Sequence, residues 1–180
     1  MRKGIRSLSF AIATLFTITA FLLSAPSTAS AEQWQETRQP QGLHPVVAEH
    51  AELLRQHAAA RSINIRFTDG FRSFEEQDRL YAQGRTTAGY IVTNAQAGES
   101  YHNYGLAVDF ALEVGHDVIW DLEYDGNGNG YPDWFEVAQI AKNLGFTWGG
   151  DWESFKDYPH LQMDFGYSIH NLINGNHYLF

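Results

Sequence analysis

No cysteine occurs among the 180 residues, so disulfides and thiolate metal sites are both excluded. Any bound zinc would have to be held by the 8 His and 21 Asp+Glu side chains. Cations are scarce: 12 Lys+Arg leave a formal charge of −9, which disfavours nucleic acid as a partner. Past residue 31 no apolar run is long enough to span a bilayer. Internal repeats and low-complexity tracts are also missing.

The extended apolar run lies at the N-terminus. Arg2, Lys3 and Arg6 precede apolar residues 8–23, and Ala29-Ser30-Ala31 supplies the small residues of a cleavage site. This is the pattern of a secretory signal peptide over residues 1–31. Its removal would leave 149 residues with nine Lys+Arg and all 21 Asp+Glu, a net charge of −12. Such a length suits one monomeric domain burying about 68–70% of its unfolded surface. A secreted domain that stands on its core without disulfides suits the bacterial periplasm, cell wall or extracellular medium.

Residues 32–44 read as a polar leader, and residues 45–180 as the single domain. Val46, Val47, Leu53 and Leu54 fall at helical spacing and predict an amphipathic helix over residues 45–61. Residues 64–68 alternate like a strand, and Asp69-Gly70 marks a turn. Ser73 and Glu76 form a capping-box pattern that opens a second helix to about Gln83. Residues 84–99 read as a surface loop. From Gly105 a strand follows, with Ala107, Asp109 and Ala111 on one face and Val108, Phe110 and Leu112 on the other. A third helix over residues 133–144 stops at Gly145, and Trp148-Gly149-Gly150-Asp151-Trp152 makes a glycine-rich turn. In the last strand His160, Gln162 and Asp164 share a face. The expected fold class is α+β, a small antiparallel sheet flanked by helices, with two strands setting Asp109 beside His160.

Fifty-eight residues separate His102 from His160, within the segments Ser100-Tyr101-His102-Asn103-Tyr104-Gly105-Leu106-Ala107-Val108-Asp109 and Asp157-Tyr158-Pro159-His160. Together they supply two imidazoles, one ligand-grade carboxylate and one spare carboxylate. Three nitrogen and oxygen ligands leave a tetrahedral position open for water, the mark of a catalytic zinc site. His102 and Asp109, seven apart, would face opposite ways on an unbroken strand, so convergence needs a bend at Gly105.

The pattern Ser-x-His-x-x-Gly-x-Ala-x-Asp followed by Asp-x-x-His resembles the peptidoglycan metallopeptidases that include D-alanyl-D-alanine carboxypeptidases and L-alanyl-D-glutamate endopeptidases. The likeness covers roughly residues 67–165 and extends to the superfamily of lysostaphin-type enzymes and the hedgehog signalling domain. It implies that His102, Asp109 and His160 are zinc ligands, that Asp157 is the general base, and that Arg72 faces the scissile carbonyl. Ser100 and Gln77 fall at positions the resemblance places beside the site. Trp148 and Trp152 suit an aromatic core as well as substrate contact. Asp157, where carboxypeptidases often carry glutamate, and the aromatic turn lean toward the endopeptidase branch. The implied function is a zinc peptidase that cuts the L-Ala–D-Glu bond of peptidoglycan stem peptides. The alternatives are a D,D- or L,D-carboxypeptidase on the same scaffold and a non-catalytic zinc-stabilised binding module.

Residues 125–136 also fit a twelve-residue calcium loop. Asp125, Asn127, Asn129, Asp133 and Glu136 occupy positions 1, 3, 5, 9 and 12, Gly130 position 6, and Tyr131 offers a backbone carbonyl. A plain glycine–asparagine turn would not demand acids at both positions 9 and 12. Residues 116–124 do not read as a long helix, so the expected motif is a lone calcium loop.

Overall fold

A computed structural model of the chain describes residues 40–175 and 179; the expected signal peptide and most of the expected leader lie outside the described residues. Helix α1, Pro45–Ala59, begins with proline at its first turn, where a missing N–H costs nothing. The His44 side chain caps it by accepting from the Val46 N–H. Its buried stripe is Val47, Ala51, Leu54 and Ala58. Residues at the end of the expected leader pack against the domain, the His44 N–H donating to Gly105 O at 2.9 Å.

Strand β1, Ile65–Asp69, and helix α2, Phe74–Ala82, follow closely. Ser73 caps α2 through Glu76 N–H, as the capping pattern required. Residues 84–99 form no helix or strand. A 3-10 turn, Tyr101–Tyr104, ends at Gly105 in the left-handed region, φ 65°, and releases strand β2, Ala107–Val114. A short strand β3, Asp117–Ile119, precedes helix α3, Asp133–Asn143. Strand β4, Thr147–Trp148, a 3-10 turn at Gly149–Asp151, strand β5, His160–Gln162, and helix α4, Ile169–Ile173, complete the chain.

The five strands form one antiparallel sheet ordered β1-β2-β5-β4, with β3 also pairing with the end of β2. Central β2 carries Val108, Phe110 and Leu112 into the main core, where Phe110 lies 4.8 Å from the ring of Trp134 on α3. Helices α1 and α3 pack against each other over this core. Complete burial of Phe110, Leu54 and Trp134 side chains contributes roughly 1.5–3 kcal/mol apiece and holds β2 rigidly at the sheet centre. Among the described residues no helix is long and apolar enough to cross a membrane.

Candidate metal centre

The β2–β5 register sets Asp109 directly opposite His160, as the alternation of the two segments required. His102 arrives from the other side of the Gly105 bend. A Cβ at Gly105 would stand 2.2 Å from Gly42 O, so φ 65° and the close approach of residues 42–44 both require glycine. In consequence three donor atoms form a nearly equilateral triangle. His102 Nε2 lies 3.2 Å from His160 Nδ1, and each lies 3.3 Å from Asp109 Oδ1.

Donors about 2.0–2.1 Å from a tetrahedral ion stand about 3.3–3.4 Å apart, so the triangle has the edge length a zinc ion needs. The tautomers agree. His102 Nδ1 lies 2.7 Å from Gly70 O, and a carbonyl only accepts, so this nitrogen carries the proton and Nε2 presents its lone pair. His160 Nε2 donates to Gln162 Oε1 at 3.0 Å, which frees Nδ1. Asp109 Oδ1 is buried without a hydrogen-bond partner, an arrangement that a cation at the triangle would relieve. Among the described residues this is the one group of three or more His, Cys, Asp or Glu whose ligand atoms crowd together in this way.

Burial opposes ionisation of Asp109, but the adjoining imidazoles of His102 and His160 outweigh it and hold the carboxyl far below the usual range. Burial lowers His160, and the Asp109 carboxylate more than reverses this, leaving its pKa raised. Asp157 is shifted up, first by burial and then by the negative charge of Asp109, against the pull of His160, His102 and Arg72. Backbone bonds from His160 N–H to Asp157 O and from Arg72 N–H to His102 O hold both residues next to the ligands.

The Asp157 segment is held by backbone. Its N–H donates to Gly149 O at 3.1 Å, and its own carbonyl accepts from His160 N–H at 3.2 Å. Arg72 is almost fully buried, and its backbone N–H donates to His102 O at 3.1 Å. Its guanidinium donates to Gln77 Oε1 at 2.8 Å and pairs with Asp69, while Nε has no partner. A register shift between Phe67 and Asp69 brings Asp69 opposite Asp109, so a bulge in β1 aims the carboxylate that fixes Arg72.

The remaining expected residues distribute unevenly. Gln77, fully buried, positions Arg72 and not His102, with its amide donating to Ala95 O. The Ser100 hydroxyl accepts from the His102 N–H and so caps the 3-10 turn. The Trp152 ring lies 5.2 Å from the His160 ring, tilted by 48°. Trp148 is buried in the core and cannot meet substrate; it stands behind the site, its Nε1 donating to Tyr158 O at 2.7 Å. Asp125, Asn127, Asn129, Tyr131, Asp133 and Glu136 lie in one loop at the start of α3, separate from the triangle.

Sequence reasoning missed Asp69, Asn103, Gly149 and Gln162. Asn103, buried, donates to Arg72 O at 2.9 Å and accepts from Gly98 N–H, which ties the loop to the arginine. Gln162 carried a signal, since it shares the face of His160 two residues away. Asp69 lies three residues before Arg72 but is aimed by the β1 bulge, and Asn103 and Gly149 depend on contacts with other segments.

A family described as D-alanyl-D-alanine carboxypeptidase matches residues 93–163. The chain is 60% identical over 130 residues to the peptidoglycan L-alanyl-D-glutamate endopeptidase CwlK of Bacillus subtilis (strain 168), spanning 72% of this chain and 78% of that protein. The chain belongs to the peptidoglycan metallopeptidase family of D-alanyl-D-alanine carboxypeptidases and L-alanyl-D-glutamate endopeptidases. An L-alanyl-D-glutamate peptidase of Listeria phage A118 is 43% identical over 71 residues, 39% of this chain and 23% of that one. The solved structure of DacB, an L,D-carboxypeptidase from Streptococcus pneumoniae, shares the fold with a TM-score of 0.51 at 19% identity, covering 78% of this chain and 76% of that one.

Proposed function

We propose that this protein is a zinc peptidase that hydrolyses the L-Ala–D-Glu bond of peptidoglycan stem peptides. The carrying observation is the donor triangle of 3.2–3.3 Å edges, with Asp157 bonded to His160 and Arg72 to His102 through the backbone. A relative 60% identical, itself named a peptidoglycan L-alanyl-D-glutamate endopeptidase, supports the substrate.

His102, Asp109 and His160 would hold the ion through Nε2, Oδ1 and Nδ1. Zinc bound there supplies Lewis acidity toward water and the scissile carbonyl. Asp157 does the proton work: its carboxylate takes a proton from the attacking water and returns it to the leaving amine nitrogen. In the metal-free site burial and the Asp109 charge shift this carboxyl upward, and one carboxyl can serve first as base and then as acid. Arg72, held by Asp69 and Gln77, presents a fixed cation to the developing oxyanion. Such a preorganised group is worth about 3–4 kcal/mol.

An endopeptidase needs no cation for a terminal carboxylate. The relative named an L-alanyl-D-glutamate endopeptidase favours this branch over the carboxypeptidase alternative, and the presence of Asp157 and Arg72 disfavours a binding module. Residues 1–31 direct the chain out of the cell, and the released domain acts as a monomer without a membrane span. Mass spectrometry of purified muropeptides digested with the protein should show stems opened after L-Ala, with a new D-Glu amino end, and no products with chelator. Release of only the C-terminal amino acid would replace this reading with a carboxypeptidase.

A further inference from the structure

The loop at residues 125–136 plays no part in the peptidase chemistry, and its construction carries a second conclusion. Asp125, at the first position, accepts the N–H groups of Gly128, Asn129 and Gly130. Asn127 and Asn129 accept from the N–H groups two residues on, at 3.1 and 2.8 Å. Helix α3 starts at the ninth position, so Asp133 and Glu136 both enter from its first turn.

Turn geometry alone would not require an ion. The independent observation is Asp133: it is 2% exposed, its Oδ2 accepts from Gly126 N–H at 3.0 Å, and its buried Oδ1 has no hydrogen-bond partner. A carboxylate oxygen sequestered in this way costs free energy unless a cation or donor meets it. The Gly126 bond ties the carboxyl to the second position of the loop. Burial and the charges of Glu136 and Asp125 push its pKa up, against the Gly126 and Asn127 N–H groups. Among the described residues no salt bridge is formed by Asp133. The nearest cation in the cluster, Arg61 Nη1, lies 3.8 Å from Glu136 Oε2.

We propose that residues 125–136 form a calcium site in which the buried Oδ1 of Asp133 is the anchoring ligand. Oxygens of Asp125, Asn127 and Asn129, the Tyr131 carbonyl and the Glu136 carboxylate complete the shell. All ligands are oxygens on a glycine-rich loop, which suits a large, flexibly coordinated Ca²⁺ over Mg²⁺. Glu136 now accepts the Asn127 and Asn129 amides at 3.0 and 2.5 Å, so binding exchanges those contacts and the Arg61 pair for the ion. With three carboxylates and that competition, the dissociation constant falls at about 10⁻⁴ to 10⁻³ M. The site connects to the peptidase centre through Phe135, whose ring meets Trp148 at 5.7 Å, and Trp148 in turn bonds Tyr158 O.

The test uses the full mature chain loaded with zinc, so that His102, Asp109 and His160 are occupied. Tb³⁺ luminescence sensitised by Tyr131 and Trp134 should appear, and Ca²⁺ should displace Tb³⁺ with a midpoint in the millimolar range or below while equal Mg²⁺ does not. Calcium at about 10 mM should also raise the melting temperature by about 3–6 °C. Asp133→Asn and Glu136→Gln should each weaken Ca²⁺ at least tenfold. Glu136 sits at the loop edge, so its variant keeps the test open where Asp133→Asn does not fold. Calcium that fails to displace Tb³⁺ at 20 mM, or a Glu136→Gln protein that binds Ca²⁺ like wild type, overturns the proposal.

Discussion

Replacing Gly149 by alanine should disable the site without substituting a ligand or the proposed base. A Cβ at Gly149 would stand 2.4 Å from Asp157 O, 3.1 Å from Asp157 Cβ and 3.2 Å from His160 Cβ. An ordinary contact of this kind needs more than 3 Å, so the backbone that carries Asp157 must retreat by about 1 Å. It cannot rotate away freely, because Asp157 N–H is bonded to Gly149 O and His160 N–H to Asp157 O. Overpacking of this kind costs about 1–3 kcal/mol, or a melting temperature roughly 3–10 °C lower for a domain of this size. A 1 Å displacement of a catalytic group lowers rate about 100-fold, which corresponds to about 2.7 kcal/mol of transition-state stabilisation. The assay is kcat/KM on a defined muropeptide together with zinc content and thermal melting, with Gly42→Ala as control because a Cβ there meets nothing within 4 Å. The expected result is zinc retained and kcat/KM down about 100-fold. A Gly149→Ala enzyme within threefold of wild type and with an unchanged melting temperature would refute the claim that this close approach positions Asp157.

Three further outcomes follow from the site. Asp157→Asn should retain zinc and lose turnover by about 10²–10⁴-fold, read by single-turnover kinetics; full activity would remove Asp157 from proton transfer. Gln162→Leu should weaken zinc about 10–100-fold in chelator competition, since His160 Nε2 loses its acceptor; unchanged affinity would show that the β2–β5 register alone orients the ring. The metal-free protein should lose stability on both sides of a window. Asp109, whose folded pKa is depressed, contributes above its ordinary value of 3.8, and that contribution is lost as pH falls. His160, whose folded pKa is raised, contributes fully below its ordinary 6.5, and that contribution is lost as pH rises through the folded value. Melting curves with chelator from about pH 3 to about pH 9 check this, and a flat profile above pH 6.5 would contradict the His160 assignment.

Much of the site was legible before any coordinates. The alternation around Asp109 and His160 required adjacent antiparallel strands, and β2 pairs with β5 in that register. The spacing of His102 and Asp109 demanded a bend, and Gly105 adopts φ 65°. The Ser73 cap and the limits of α1 and α3 came within two residues, because caps, proline and glycine act locally. Trp148 was the ambiguous element. An aromatic residue in a glycine-rich turn can face substrate or core, and burial beneath Tyr158 resolves it in favour of the core.

The chain by itself therefore determined which atoms could serve as ligands, because the absence of cysteine leaves only imidazole and carboxylate, and periodicity sets their faces. Tertiary structure alone decided how those atoms are aimed. The tautomer of His102, set by Gly70 O, joins segments 32 residues apart. The bulge of β1 against β2 likewise aims Asp69 at Arg72, and the chain fold brings Gly149 beneath Asp157. Local propensity extends over a few residues, whereas a hydrogen bond or a steric limit between remote strands exists only once the core has brought them within reach.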